Sequence, residues 1–564
     1  MNLFSALRNR LFVPLILVLA IVSGFTTAYA LPHSDIHIKI LAINDFHGQL
    51  PAGRRVGRRP VGGAAVLASY LKSAERGMED RTLIVHAGDH VGASSPVSAL
   101  LKDEPSIMFM NTLANKHCSI ADPMNPLCNI AGITGNHEFD KGVPEMMRLI
   151  FGGNHPEGPF LEKPWRGALY PYVVSNVIDS KTGRHILPPY VIKKVNGMPI
   201  AFIGAVLKDT PSIVSASATE GLTFLDEAES INNYIPELMA KHVRAVVALI
   251  HQGGRQTSYR GATQPGKTVD GPIADIVSRL DDKVDVVISG HSHTFINAML
   301  KNRRGRNTLV VQAFAYGTAY ADIDLEFDRS TNNLVKKSAS IVTTFADAGP
   351  GLTPDPAVSH LVSAAEGKVG PLINSVIGKA MADITSSQNS AGESALGNLI
   401  ADAQRAAFPA DFAFTNPGGI RDDIHAGAVT WGALYSVQPF NNYLVKMGLT
   451  GRQIYDLLNQ QWQLDQPHPS MLQISGLSYT WDSTLLPGSR VVKVFRDGAP
   501  IDPSASYTVV VNTFLAGGGD NFKVFTLGAN QTSGPVDLDA LISYIQKLPQ
   551  PFSAKINGRI TRLK

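Results

Sequence analysis

The sequence predicts an α/β fold in which a layered sheet domain precedes a smaller α+β domain. Two observations carry this. Between about residues 39 and 327 one unit recurs: a short β-branched run ends in a polar residue, and a helical or loop segment follows. Beyond about residue 373 helical and strand patterns alternate less regularly. A length of 564 residues leaves room for two to four domains at roughly 150 residues each.

Taken in order, residues 1–30 read as a secretory leader. Arg8 and Arg10 form its charged start, residues 11–22 its apolar run, and Ala28-Tyr29-Ala30 its cleavage site. The apolar run is short for a bilayer span, no Cys follows the cleavage site, and residues 560–564 lack an apolar tail. The expected product is periplasmic or secreted, without a stable membrane anchor. In such a compartment Cys118 and Cys128, ten apart in a Pro/Asn-rich loop, are expected to pair as a disulfide.

Residues 31–348 form the expected catalytic domain. Its apolar runs at 38–43, 82–86, 130–134, 200–206, 245–250, 284–289, 308–313 and 321–327 suit strands buried on both faces. Helices are expected between them, as at 64–75 and 273–279. A Pro/Gly/Asp-rich stretch then opens the expected linker, 349–372, with a helical segment at 357–368. Residues 373–564 make the second domain, with helices at 395–408 and 450–462 and strands at 477–481, 490–495 and 507–511.

Charge excludes some classes. Lys and Arg total 50 against 47 Asp and Glu, a formal +3. That balance excludes a disordered polyelectrolyte and provides no electrostatic case for a nucleic acid polymer as partner. The arginine-rich stretch 54–59 reads as a solvated loop.

The chemistry lies in what terminates the strands. Asn44-Asp45-Phe46-His47, Gly88-Asp89, Gly135-Asn136-His137-Glu138, His251 and Gly290-His291-Ser292-His293 each follow an apolar run. Carboxyl ends of parallel strands are where α/β folds place their sites. Mixed carboxylate, amide and imidazole donors suit a pair of divalent transition metals, with zinc, manganese, cobalt and iron all compatible. One carboxylate such as Asp89 can bridge two cations about 3.5–4 Å apart.

This order of motifs resembles the calcineurin-like metallophosphoesterases. The resemblance implies that Asp45, His47, Asp89 and His293 hold one metal, and that Asp89, Asn136, His251 and His291 hold the other. It also implies that His137, oriented by Asp140, faces the scissile phosphate. His86 and His90 match no ligand position and read as structural.

Four motifs in the second domain resemble the 5′-nucleotidase C-terminal domain: Asn416-Pro417-Gly418-Gly419-Ile420-Arg421, Gln438-Pro439-Phe440-Asn441-Asn442, Gln473-Ile474-Ser475-Gly476, and residues 512–520. Phe440 and Phe514 are the expected base clamp. Asp520 and Asn416 suit ribose hydroxyls, Asn442 a base edge, and Arg421 a phosphate oxygen. Gly476 belongs to the same expected binding set. The expected function is hydrolysis of nucleoside 5′-phosphates, with nucleoside di- and triphosphates, nucleotide sugars and 2′,3′-cyclic nucleotides as related substrates. A dimetal thiosulfohydrolase and a non-catalytic host-interaction protein are the alternatives. The clamp argues against the first and the intact ligand set against the second. One position departs from the resemblance. Ala395 stands where those nucleotidases often carry a phosphate-gripping Arg, and Glu393 beside it is expected to repel phosphate.

Overall fold

The computed structural model describes residues 35–564 apart from 258–260, 262, 266–268 and 464–468. The leader read at residues 1–30 lies outside the described residues.

The eight apolar runs of the first domain divide between two sheets. Ile36–Ile43 lies at the centre of a five-stranded sheet, parallel to Thr82–His86 and antiparallel to Ala319–Phe327. Met198–Val206, Ala245–His251, Val284–Ser289 and Asn307–Ala313 run parallel inside a seven-stranded sheet. Their side chains alternate between two apolar environments, which is why the runs are apolar throughout. Ile38, Ile40 and Ala42 pack with Val247 and Leu249 between the sheets. Leu41 and Ile43 point the other way, into a core with Leu67, Leu71 and Phe109. Val246, Ala248 and Ile250 meet Ile231, Ile276 and Val277 on the outer face of the second sheet. The domain is therefore layered helix, sheet, sheet, helix, with Ala64–Glu75 on one outside and Glu227–Ala240 and Pro272–Arg279 on the other.

The sequence reading omitted Tyr190–Val195, Phe295–Lys301 and Leu334–Thr343. The first and last are edge strands carrying lysines and half-exposed positions, so their apolar signal is diluted.

Helix Pro356–Ile373 follows. The Asp355 carboxylate caps it by accepting the Val358 N–H at 3.0 Å, and Lys72 holds that carboxylate at 2.7 Å. Val358, Leu361, Ala365 and Val369 are buried in the same core as Leu67 and Leu71, so this helix packs as part of the first domain.

The second domain has a five-stranded sheet ordered Gln473–Ser475, Phe412–Thr415, Ser506–Asn512, Tyr443–Thr450, Ala529–Val536. Helices Ala395–Ala407 and Asp537–Lys547 bury Leu396, Leu399, Leu538 and Leu541 together. Gly451–Asn459 packs with the core containing Phe412 and Phe414. It starts at a capping box: Thr450 Oγ1 accepts the Gln453 N–H at 3.2 Å while Gln453 Oε1 accepts the Thr450 N–H at 2.8 Å. Cys118 and Cys128 are disulfide-bonded, with their Cα atoms 4.5 Å apart. No helix among the described residues is long and apolar enough to cross a membrane.

Candidate active site

Both sheets deliver strand ends to one place. Asp45 and His47 follow Ile36–Ile43, Asp89 follows Thr82–His86, and Asn136 follows Ile130–Gly132. From the second sheet, His251 ends Ala245–His251, and His291 and His293 follow Val284–Ser289. Several of these residues turn sharply. Backbone φ is 50° at Asp45, 49° at His47, 47° at Asp89, 71° at His291 and 54° at His293. This left-handed region is uncommon for residues with a Cβ and most accessible to Asp, Asn and His. Each such residue costs about 1–3 kcal/mol, which the surrounding packing must offset.

Their donor atoms converge. His47 Nε2 lies 3.0 Å from His293 Nε2, which is 3.4 Å from Asp45 Oδ1. Asp89 Oδ2 lies 3.0 Å from His251 Nε2 and 3.8 Å from His47 Nε2, between the two groups. Asn136 Oδ1 is 3.2 Å from His251 Nε2 and 3.0 Å from His291 Nδ1. The donor atoms of Asp45, His47 and His293, and those of Asp89, His251 and His291, form clusters of metal-binding size.

The protonation pattern fits a metal. Nδ1 of His47 and of His251 each lie 2.7 Å from a carbonyl, of Gly92 and Ala87 respectively. A carbonyl only accepts, so each Nδ1 carries a proton and each Nε2 is the atom turned toward the cluster. Burial, only partly countered by Asp89, holds His47 well below the ordinary imidazole pKa, so its Nε2 presents a lone pair. At His251 burial opposes charge, but Asp89 and Asp45 outweigh it and push the pKa up to about 10, so without a cation its Nε2 carries a proton toward Asp89. A divalent cation would displace that proton and suits the same carboxylates and imidazoles.

Glu138 is the functional residue that sequence reasoning missed. Its buried carboxylate accepts the backbone N–H groups of Asp89 at 3.0 Å, His90 at 2.8 Å and Gly135 at 2.5 Å. It thereby fastens two ligand-bearing turns to each other. The signal was an acid directly after Asn136-His137. Gly135 is required at this junction, because a Cβ there would come within 2.2 Å of Asp89 Oδ1. His86 and His90 are buried beside it: His90 Nε2 bonds the Ser106 carbonyl at 2.9 Å, and its ring stacks on Phe46 at 5.1 Å.

His137 Nδ1 lies 2.8 Å from Asp140 Oδ2, and its ring stacks on Phe440 with centroids 5.8 Å apart. Burial opposes charge on His137, but Asp140 and Asp89 outweigh it and raise its pKa.

A cavity of about 270 Å³ joins the two domains here. Asn136, His137, Asp140 and His291 line one side; Asn416, Arg421, Phe440, Asn442, Phe514 and Asp520 line the other. Asp520 Oδ2 accepts from Asn416 Nδ2 at 2.8 Å, and Asn512 Nδ2 donates to Asn416 Oδ1 at 3.2 Å. Burial, only partly countered by Asn416, pushes the Asp520 pKa up to about 6. The Phe514 ring lies over Gly519, where a Cβ would meet it at 2.5 Å. Arg421 Nε is buried and has no hydrogen-bond partner among the described residues.

Two expectations are corrected. Gly476 does not line this cavity. It abuts Arg405 and the Asp411 carbonyl, where a Cβ would meet the oxygen at 2.1 Å, so its glycine serves backbone packing. Nor does Glu393 face phosphate. It is fully buried and accepts from Asn398 Nδ2 and from the N–H groups of Asn557 and Ile560 at 2.7, 2.7 and 3.3 Å. Ala395 is partly buried against the apolar cluster that contains Leu399 and Leu434.

Residues 38–295 match the calcineurin-like phosphoesterase family, and residues 376–527 match the 5′-nucleotidase C-terminal domain. Over 95% of its length the chain is 35% identical to Endonuclease YhcR of Bacillus subtilis, and it spans 42% of that protein. Over 94% of its length it is 34% identical to Cell wall protein Lmo0130 of Listeria monocytogenes, of which it spans 70%. Among solved structures it is similar to the 5′-nucleotidase precursor of Thermus thermophilus. Identity is 28% and the TM-score 0.76, over 94% of this chain and 99% of that one.

Proposed function

The chain belongs to the calcineurin-like phosphoesterases that carry a 5′-nucleotidase C-terminal domain, a family of hydrolases, and on that premise we propose that it cleaves nucleoside 5′-phosphates to nucleoside and phosphate. The observation that carries this reading is the shared cavity: Asn136, His137 and His291 open onto the same space as Asn416, Phe514 and Asp520.

In this reading Asp45, His47, Asp89 and His293 hold one divalent cation, and Asp89, Asn136, His251 and His291 hold a second. Such cations, when bound, make a coordinated water acidic and screen phosphoryl oxygens. Zinc, manganese, cobalt and iron all accept this donor set. The other residues bind and orient. Phe440 and Phe514 take the base, and Asn442 reaches its edge. Asp520 and Asn416 take ribose hydroxyls, and the Arg421 guanidinium takes a phosphoryl oxygen. His137, its pKa raised by Asp140 and Asp89 against its burial, donates to phosphoryl or leaving oxygen. A disulfide-bonded chain with this chemistry suits export to the periplasm or beyond. Phosphate release from a panel of nucleotides, by metal-stripped protein with each metal restored in turn, tests the reading. No release from any nucleotide with any metal rejects it.

The aromatic pair should govern binding rather than chemistry. Phe514→Ala is expected to raise KM for AMP by about five- to a hundredfold, a loss of the 1–3 kcal/mol typical of stacking on a base. It should spare p-nitrophenyl phosphate, which has no base. Equal losses on both substrates would reject the clamp.

Asp520 supplies a pH signature. A ribose hydroxyl donates to the carboxylate, and the site loses that acceptor as pH falls through about 6, the raised pKa. KM for AMP should therefore rise below that pH while KM for p-nitrophenyl phosphate does not. Asp520→Asn should show a high KM for AMP with the difference between substrates flattened across the same range. An unchanged pH difference in Asp520→Asn would assign the titration elsewhere.

A further inference from the structure

The loop between strands Asn307–Ala313 and Ala319–Phe327 carries the chain from the seven-stranded sheet back to the five-stranded one. Tyr316 lies in that loop, in the left-handed backbone region with φ 59°, and its N–H donates to the Asp45 carbonyl at 2.7 Å. The turn sets its ring against two imidazoles. Ring centroids are 5.4 Å apart for Tyr316 and His47, tilted by 39°, and 5.2 Å apart for Tyr316 and His293, edge to face at 83°. Tyr316 therefore meets Asp45, His47 and His293, three of the four residues assigned to one cation. The other site is packed differently: His251 and His291 meet each other edge to face, with centroids 5.4 Å apart.

Arg54 covers a face of the same ring. Its guanidinium carbon lies 4.0 Å from the ring centre, a cation–π contact. Its Nε donates to Gln49 Oε1 at 3.3 Å, and Nη1 lies 3.6 Å from Asp422 Oδ1 across the domain boundary. The solvated-loop reading of residues 54–59 holds for the exposed Arg55 and Arg58 and fails at Arg54. The His293 side chain is 25% exposed, whereas those of His47 and His251 are fully buried. An imidazole near the surface gives up rotamer freedom when it binds a cation, and packing against a fixed ring removes part of that cost beforehand.

We propose that Tyr316, backed by Arg54, is a positioning residue for the cation site of Asp45, His47 and His293, and that its ring makes the two cation sites unequal. The proposal rests on the two-cation reading given above. Groups that fix the orientation of metal ligands typically contribute about 10–100-fold to metal affinity. Tyr316 packs on the ligands of one site, so its loss falls on that site, while Asn136, His251 and His291 keep their own packing. The contacts are made by the ring and the backbone N–H, so Phe serves here as well as Tyr. Arg54 acts one step further out, holding the ring that holds the imidazoles.

The test measures binding of Co²⁺ to the full chain, by equilibrium dialysis with elemental analysis. Tyr316→Asn removes the ring and tolerates the left-handed backbone. It should weaken one of the two ions by about 10–100-fold and leave the other within about twofold of wild type. Tyr316→Phe keeps the ring and should bind both ions as wild type does. Adding His293→Gly to Tyr316→Asn should leave the surviving ion in place, whereas adding His291→Gly should release it. Arg54→Lys keeps the charge but loses the planar face, and should weaken the same ion as Tyr316→Asn by a smaller factor. Two tightly bound ions in Tyr316→Asn, equal weakening of both, or release of the surviving ion by His293→Gly overturns the proposal and leaves the two-cation reading intact. Wild-type binding in Arg54→Lys does the same. A wild-type chain that binds fewer than two Co²⁺ ions rejects that reading and the proposal with it.

Discussion

Asp89→Ala is expected to remove both cations and to lower turnover by at least about 10³-fold, since cations at such centres supply several kcal/mol of charge stabilisation. The geometry explains why one residue carries so much. Asp89 Oδ2 lies between His251 and His47, and Oδ1 accepts the His137 N–H at 2.9 Å. Asp45 is the other carboxylate near both clusters, with Oδ1 3.4 Å from His293 Nε2 and 4.0 Å from His251 Nε2, but it is also tied to the His291 N–H at 2.9 Å and to Asn44 Nδ2 at 2.7 Å. Asp89→Asn is the companion variant, because Asn tolerates the left-handed backbone at this position while lacking the charge. Metal content by elemental analysis, alongside phosphate release, decides the matter. Two tightly bound metals with near-native turnover in Asp89→Ala would sink the bridging assignment.

His137→Ala should behave in the opposite sense, keeping its metals and losing kcat by about 10²–10⁴-fold, the range for general-acid or electrostatic catalysis. What His137 gives the Asp89 carboxylate comes from its backbone, which survives the substitution. Its side chain is committed to Asp140 on one edge and lies flat against Phe440. Asp140→Asn should lower kcat in the same direction by a smaller factor. The competing assignment is concrete, because the donor atoms of His137 also cluster with those of His47 and Asp89. Loss of metal in His137→Ala would make it a ligand.

Much of this architecture was legible because the parallel strands are buried on both faces. A strand such as Ala245–His251 has no solvent side, so its apolar run is unbroken and its end is marked by the first polar residue, which is the candidate ligand itself. The division into two sheets was not legible, since Ile40 and Leu249 read alike in sequence and only their shared packing distinguishes a sandwich from a single layer. Edge strands such as Leu334–Thr343 were lost because half their residues are polar. Within the site, residue types carried the donor set, but two features depended on geometry alone. Glu138 acts through three backbone N–H groups that no motif spells out, and Arg54 meets an Asp422 that lies far along the chain in the other domain. Gly476 shows the converse: a motif glycine whose purpose is local backbone clearance beside Arg405.

The left-handed turns at Asp45, His47, Asp89, His291 and His293 bear on how such a domain can decay over evolutionary time. The residues that bind cations through oxygen or imidazole and those that tolerate this backbone are drawn from nearly the same short alphabet, Asp, Asn and His. A descendant that lost its chemistry would still need these turns to keep its strand ends in place. The substitutions that cost least at such a turn are Asn and Gly, and β-branched residues cost most. A retired copy of this domain, kept for its surface alone, would therefore be enriched in Asn and Gly at these five places, an inheritance readable in sequence long after catalysis had gone.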